Sequence, residues 1–117
     1  SGKPWLPQMS SYANYAVDIE SSDSSSYLNF YKKSFKVRKE ISDFGVISSL
    51  EFVDSPAGVL GFKRGNSLLI LLNTTKQAIS MSVPIGYSIV QDSAGESVLK
   101  GENLELASET TVWLHAK

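Results

Sequence analysis

The chain has 117 residues, 42% of them hydrophobic, with a formal net charge of −1 and no cysteine. That is enough apolar material for one domain with one core, and a near-neutral charge leaves no electrostatic footprint for nucleic acid or an anionic membrane. Without cysteine there are no disulfides and no thiolate metal sites, which agrees with a reducing, cytoplasmic setting.

Residues 1–26 show little periodicity. Pro4 and Pro7 open a stretch in which Ala16-Val17-Asp18-Ile19 reads as a short extended piece. Ser21–Ser26 is polar and turn-like, and Ser22, Asp23 or Ser24 is expected to cap a following helix. The opening residues carry no signal-peptide pattern.

Tyr27–Ile41 is the strongest periodic signal. At about 100° per residue, Tyr27, Leu28, Phe30, Tyr31, Phe35, Val37 and Ile41 share one half of a helix, and Asn29, Lys32, Lys33, Lys36 and Lys39 the other. An apolar arc that wide is made to lie on a large surface. Arg38 falls at the centre of this arc, between Tyr27 and Tyr31. It must either snorkel to water or find acceptors in the buried layer. The helix spans about 24–41, with Arg38 and Lys39 in its last turn, where cations suit the helix dipole.

From Asp43 onward the period is two. Ser49–Val53, Val59–Lys63, Leu68–Asn73, Ala78–Val83, Tyr87–Gln91, Ser97–Leu99, Leu104–Leu106 and Thr110–Ala116 read as short strands. Asp54–Gly58 is a turn, and Arg64-Gly65-Asn66-Ser67 joins a hairpin. Leu68–Leu72 is apolar on both faces, so that strand is central and covered twice; it is also the longest apolar run, far too short for a bilayer span. In Ala78–Val83 the residues Ile79, Met81 and Val83 point inward. The class expected is mainly β: an antiparallel sandwich over 43–117, preceded by one amphipathic helix and an irregular segment over 1–42.

Residues that carry chemistry are sparse. One histidine, His115, cannot build a metal site or a triad by itself. Gly58, Gly61 and Gly65 lack the GK[ST] of a phosphate loop and read as turn and packing residues. Asn73-Thr74-Thr75 matches a glycosylation sequon, a pattern frequent by chance. No pair among the twelve scattered carboxylates is brought together as glycoside hydrolysis requires. Trp113, Tyr87 and Phe62 suit a core better than a sugar-stacking platform. No catalytic residue, metal ligand or cofactor is assigned.

Five segments nevertheless resemble a known family: GKPWLPQ at Gly2–Gln8, SYLNFYKKSFKVRKE at Ser26–Glu40, LEFVDSPAGVLGFKRG at Leu50–Gly65, LLILLNTTKQAISMSVP at Leu68–Pro84, and ETTVWL at Glu109–Leu114. In this order they resemble the carboxy-terminal region of α-glucosidases of the α-amylase superfamily of glycoside hydrolases. In that family a segment like GKPWLP follows the last catalytic loops of a (β/α)8 barrel. A helix like LNFYKK…LRKE is the barrel's eighth, and the remaining segments resemble strands of the C-terminal β-sandwich.

The resemblance implies that residues 1–42 are the end of a barrel and 43–117 the sandwich. It carries over no catalytic aspartate or glutamate, since the family's lie upstream of anything like Gly2. The fragment is then no enzyme itself, and its parent is a retaining α-glucosidase acting on α-linked gluco-oligosaccharides. Trp5 is the one candidate near substrate in that parent. Arg38, Tyr31 and Phe35 are expected to dock the helix, with a carboxylate or carbonyl oxygens of the sandwich or barrel as partners of Arg38. The expected partner is the upstream barrel, with self-association through the helix as a second possibility. A stand-alone carbohydrate-binding module and a non-catalytic interaction domain are the alternative functions.

Overall fold

The computed structural model describes residues 5–45 and 49–117; Gly2–Pro4 of the GKPWLP segment lie outside them. The chain forms two compact units, Ser1–Phe35 and Lys36–Lys117. The division falls within a helix. The residues just past it, Val37 and Ile41, pack with Phe44 and Leu68.

The first unit holds a 3-10 turn over Ser10–Tyr15, helix α1 over Val17–Ser22 and most of helix α2, Tyr27–Glu40. The extended piece expected at Ala16–Ile19 is thus helical from Val17 onward. Asp18 and Glu20 stand in its first turn, where carboxylates suit the positive end of a helix. Helix α2 starts at Tyr27 and is capped one residue before it. Ser26 Oγ accepts from the Asn29 backbone N–H at 3.2 Å, so the cap is Ser26 and not Ser22, Asp23 or Ser24. The Asn29 side chain reaches back the other way. Its amide nitrogen lies 3.0 Å from Glu20 O, 3.1 Å from Ser21 O and 2.7 Å from Asp23 O. Its two N–H groups are shared among these carbonyls at the end of α1, and the Ser26 hydroxyl donates to Glu20 O at 2.6 Å.

The second unit is a β-sandwich. Strands β1 (Leu50–Phe52), β2 (Val59–Arg64), β3 (Leu68–Asn73), β5 (Tyr87–Asp92) and β8 (Thr111–Ala116) make a five-stranded sheet in the order β1-β2-β3-β8-β5. Strands β4 (Ile79–Ser82), β6 (Val98–Lys100) and β7 (Asn103–Leu106) make a three-stranded sheet in the order β4-β7-β6. Every one of these pairings is antiparallel. The core between the sheets is built from Leu69, Leu71, Val112 and Leu114 of the larger sheet, Leu104 and Leu106 of the smaller, and Val83. Met81 packs against it and Ser80 and Ser82 are exposed, as the alternation in Ala78–Val83 demands.

Strand β3 is central in its sheet and two-faced. Leu69 and Leu71 point into the sandwich core. Leu68 and Ile70 point the other way, into a second cluster with Ile41, Phe44, Val37, Val90 and Trp113. Gly61 of β2 pairs with Leu71. A Cβ there would stand 2.5 Å from Ser55 Oγ, 2.6 Å from Val53 Cγ2 and 2.9 Å from Leu71 Cδ2, so this position must be bare for β1 and β2 to close on the core.

Candidate functional site

Helix α2 changes character along its length. Its early apolar residues Tyr27, Tyr31 and Phe35 recur every four positions and so form one ridge. They are 77%, 57% and 60% exposed. Tyr31 and Phe35 lean on each other with ring centroids 6.3 Å apart, and Phe30 meets Tyr31 edge-on at 5.9 Å. Trp5, the residue expected near substrate in the parent, is 90% exposed.

The end of α2 is held differently. Ile41 continues the helical hydrogen bonding to Val37 O at 3.1 Å, and a 3-10 turn over Ser42–Phe44 follows. That turn sends Phe44 inward against Trp113, ring centroids 4.8 Å apart. Asp43 is sent sideways to the β2–β3 hairpin, where its carboxylate accepts from Ser67 N–H at 2.9 Å and Ser67 O–H at 2.6 Å. Gly65 takes the left-handed conformation in that hairpin, φ +63°, and leaves room for the carboxylate. Hydrogen bonds from the Ser67 hydroxyl and amide, with smaller help from the Asn66 amide and the field of His115, hold the Asp43 carboxyl below its usual range.

Arg38 lies with its guanidinium over the Phe44 ring, 5.5 Å from the centroid. It is exposed, and among the described residues no carboxylate or carbonyl serves as its partner. The arginine therefore snorkels across an aromatic face instead of entering a buried polar layer. Tyr31, Phe35 and Trp5 meet solvent, and no described contact brings them to Arg38. Asp43 and Phe44 escaped the sequence reading. The signal that could have found them is the pair of apolar residues three apart, Ile41 and Phe44, just past a helix end, where a hydrophobic contact often fixes the exit of the chain.

Two carboxyls have a displaced pKa, Asp23 and Asp43, and both are lowered: Asp23 by the hydroxyl and amide of Ser25, Asp43 by those of Ser67. A proton-donating carboxyl in glycoside hydrolysis needs the opposite displacement. Among the described residues no three His, Asp or Glu side chains converge on a point that could hold a metal ion. A groove of about 400 Å³ runs past Ile85, Tyr87, Ser88 and Leu99, and no carboxylate, histidine or basic side chain lines it. Asn73 of the sequon is fully buried. Its amide nitrogen donates to Gln77 O at 2.8 Å and Ala107 O at 2.9 Å, and its oxygen accepts from Thr75 N–H at 2.9 Å and Thr75 O–H at 2.8 Å.

Fold and sequence together match the C-terminal region of glycoside hydrolases of the α-amylase superfamily. The sequence kinship is to an α-glucosidase from Schizosaccharomyces pombe, 30% identical over 98 residues that cover 78% of this chain and 17% of that enzyme. No family model matches the chain. Among solved structures, the trehalulose synthase of Pseudomonas mesoacidophila MX-45 superposes with a TM-score of 0.74 at 23% identity, over 100% of this chain and 22% of that one. The α-amylase of H. orenii superposes with a TM-score of 0.64 at 22% identity, over 87% of this chain and 22% of that one. The chain therefore spans about a fifth of the length of the proteins it matches, and corresponds to their C-terminal domain. No helix among the described residues is long and apolar enough to cross a membrane.

Proposed function

We propose that the chain is the non-catalytic C-terminal part of a cytoplasmic α-glucosidase that releases glucose from α-linked oligosaccharides with retention. Its own task is to brace the catalytic barrel. The observation that carries this reading is the span of the likeness: 17% of an α-glucosidase, and the C-terminal portion of it. Residues 1–42 are then the last turn of the barrel wall and 43–117 the sandwich. Trp5 lies near the substrate of the intact enzyme, and Arg38, Tyr31 and Phe35 dock the helix to the barrel. The exposed aromatic ridge on α2 supports the same assignment, because an unpartnered apolar surface of that size is rare on a self-sufficient monomer.

The test is activity measured on two polypeptides. The 117-residue chain is expected to leave an aryl α-glucoside unhydrolysed above background. The longer product of the same gene is expected to hydrolyse it and to encode a barrel with the superfamily's three carboxylates. Turnover by the 117-residue chain that survives repurification and vanishes with a point substitution in it would refute the reading.

A further inference from the structure

We propose that the seam between the two sheets, beside β2 and β4, is a binding site for a small zwitterion with an aliphatic side chain, of the class of a free α-amino acid. The site is built from the sandwich alone, so the proposal stands independently of the fragment reading.

The site exists because the sheets differ in size. Three strands cannot roof five, and both β4 and β1 are the last strands of their sheets. A cavity of about 220 Å³ opens where Met81 and Ser82 of β4 face Val53 and Lys63. Its floor is the margin of the core: Leu69, Leu71 and Val83 are buried, and Met81 is partly so. Register shows that Lys63 belongs to the inner face. It stands opposite Leu69, and Gly61 stands opposite Leu71, on the side that meets the core. A half-buried lysine thus points into the seam over an apolar floor.

The mouth carries both signs of charge. Asp54 lies on it together with Lys63, and among the described residues neither is paired with the other or with a further charge. Ser82 adds backbone groups. The next residue, Val83, donates its N–H to Glu102 O at 2.8 Å. Neighbouring residues of an antiparallel strand turn their polar groups to opposite sides, so the N–H and C=O of Ser82 point out of the free edge of β4. A carboxylate therefore finds Lys63 and one amide donor, and an ammonium finds Asp54 and one carbonyl acceptor. A simple anion would meet Asp54 as well, and a simple cation Lys63. A ligand bearing both charges satisfies all four groups while its side chain covers Leu69, Leu71 and Val83. Met81, unbranched and adaptable, can close over that side chain. Size narrows the class further. The cavity holds the volume of about seven water molecules at about 30 Å³ each, and falls below the roughly 300 Å³ of sites for drug-sized ligands. One amino acid fits; a peptide or an oligosaccharide does not.

Nuclear magnetic resonance of the 117-residue chain, with L-leucine as the probe, tests the proposal. Leucine is expected to shift the methyl signals of Leu69, Leu71, Met81 and Val83 to saturation and to raise Tm. Isocaproate lacks the ammonium, isopentylamine lacks the carboxylate and glycine lacks the side chain; each is expected to bind several-fold more weakly. Lys63→Gln is expected to weaken leucine several-fold without weakening isopentylamine. Asp54→Asn is expected to weaken leucine without weakening isocaproate. Should either variant fail to fold, the four probes on the native chain decide by themselves. Methyl signals unmoved by leucine overturn the proposal and leave Lys63 as an inward charge that keeps other strands off the sheet margin. Equal binding of leucine, isocaproate and isopentylamine overturns it in favour of a merely apolar hole. Tighter binding of a leucine-containing tripeptide than of leucine overturns it in favour of an extended segment added to β4.

Discussion

Asp43 is the side chain through which the helix end and the hairpin hold each other, and its charge makes that hold pH-dependent. Both Ser67 donors act on the ionised form, so the folded-state pKa is depressed. A depressed carboxyl contributes stability that is fully present above the unfolded value, about 3.9, and is lost as the pH falls through the folded value. Asp43→Asn keeps an acceptor but exchanges charge-assisted hydrogen bonds for neutral ones, at a cost of about 1 kcal/mol at pH 7. In urea titrations the gap between the native chain and the variant is expected to hold from neutral pH down to the ordinary carboxylate range, and then to close in more acidic buffer. A gap that is the same at pH 7 and at pH 3 would mean that the charge contributes nothing. Asn73 presents the opposite kind of residue, neutral and wholly buried, with its amide occupied at both ends. A glycan on that nitrogen would need one of the bonded hydrogens and an exit path, so the sequon is a consequence of packing and marks no surface loop.

At the scale of elements, α2 separates two cations that composition treats alike. Arg38 rests on Phe44; Lys36 pairs with Glu40 at 3.9 Å, with side chains 76% and 62% exposed. An exposed pair in successive turns is worth a few tenths of a kcal/mol at most, whereas a cation over a ring adds about 0.5–1 kcal/mol and its stem covers apolar surface. Arg38→Ala is therefore expected to destabilise by about 0.5–1 kcal/mol, and Lys36→Ala by less than about 0.5 kcal/mol. Equal, negligible losses in matched urea titrations would reduce Arg38 to a surface charge. The strands of the sandwich were legible as short alternating or apolar runs between turn residues: Leu68–Asn73 has the same bounds in sequence and structure, and the double face of Leu68–Leu72 shows in its unbroken apolar run. The first 26 residues were not legible, because Val17–Ser22 is too short to display a helical period and depends on the distant Asn29 side chain for its carbonyls. The wheel of α2 gave the right apolar half but could not say which part of it is covered. The half-burial of Val37 and the burial of Ile41, against the exposure of Tyr27, Tyr31 and Phe35, depend on the turn at Ser42–Phe44 and on the sheet it meets.

The whole molecule carries an imbalance that has a measurable outcome. Of the fifteen large apolar side chains exposed among the described residues, ten fall within the first 35 positions, from Trp5 to Phe35. The 3-10 turn and both helices contain no buried residue. The sandwich has its own core between its two sheets. Such a chain, separated from the rest of a larger protein, keeps a stable half and an unsatisfied half. At about 25 cal/mol per Å² of apolar surface removed from water, covering a few hundred Å² is worth several kcal/mol, enough to offset part of the entropy lost on association. Sedimentation velocity is therefore expected to show the 117-residue chain associating as its concentration rises. Tyr31→Glu with Phe35→Glu is expected to shift it toward monomer without changing the melting of the sandwich, since neither residue touches its core. The same double substitution in the longer polypeptide has the opposite expected effect: it lowers stability there, because the ridge is then part of an internal interface. A chain that stays monomeric at high concentration, with the ridge still open to labelling, would show that these aromatics cost nothing when exposed and would remove the ridge from the argument for a missing partner.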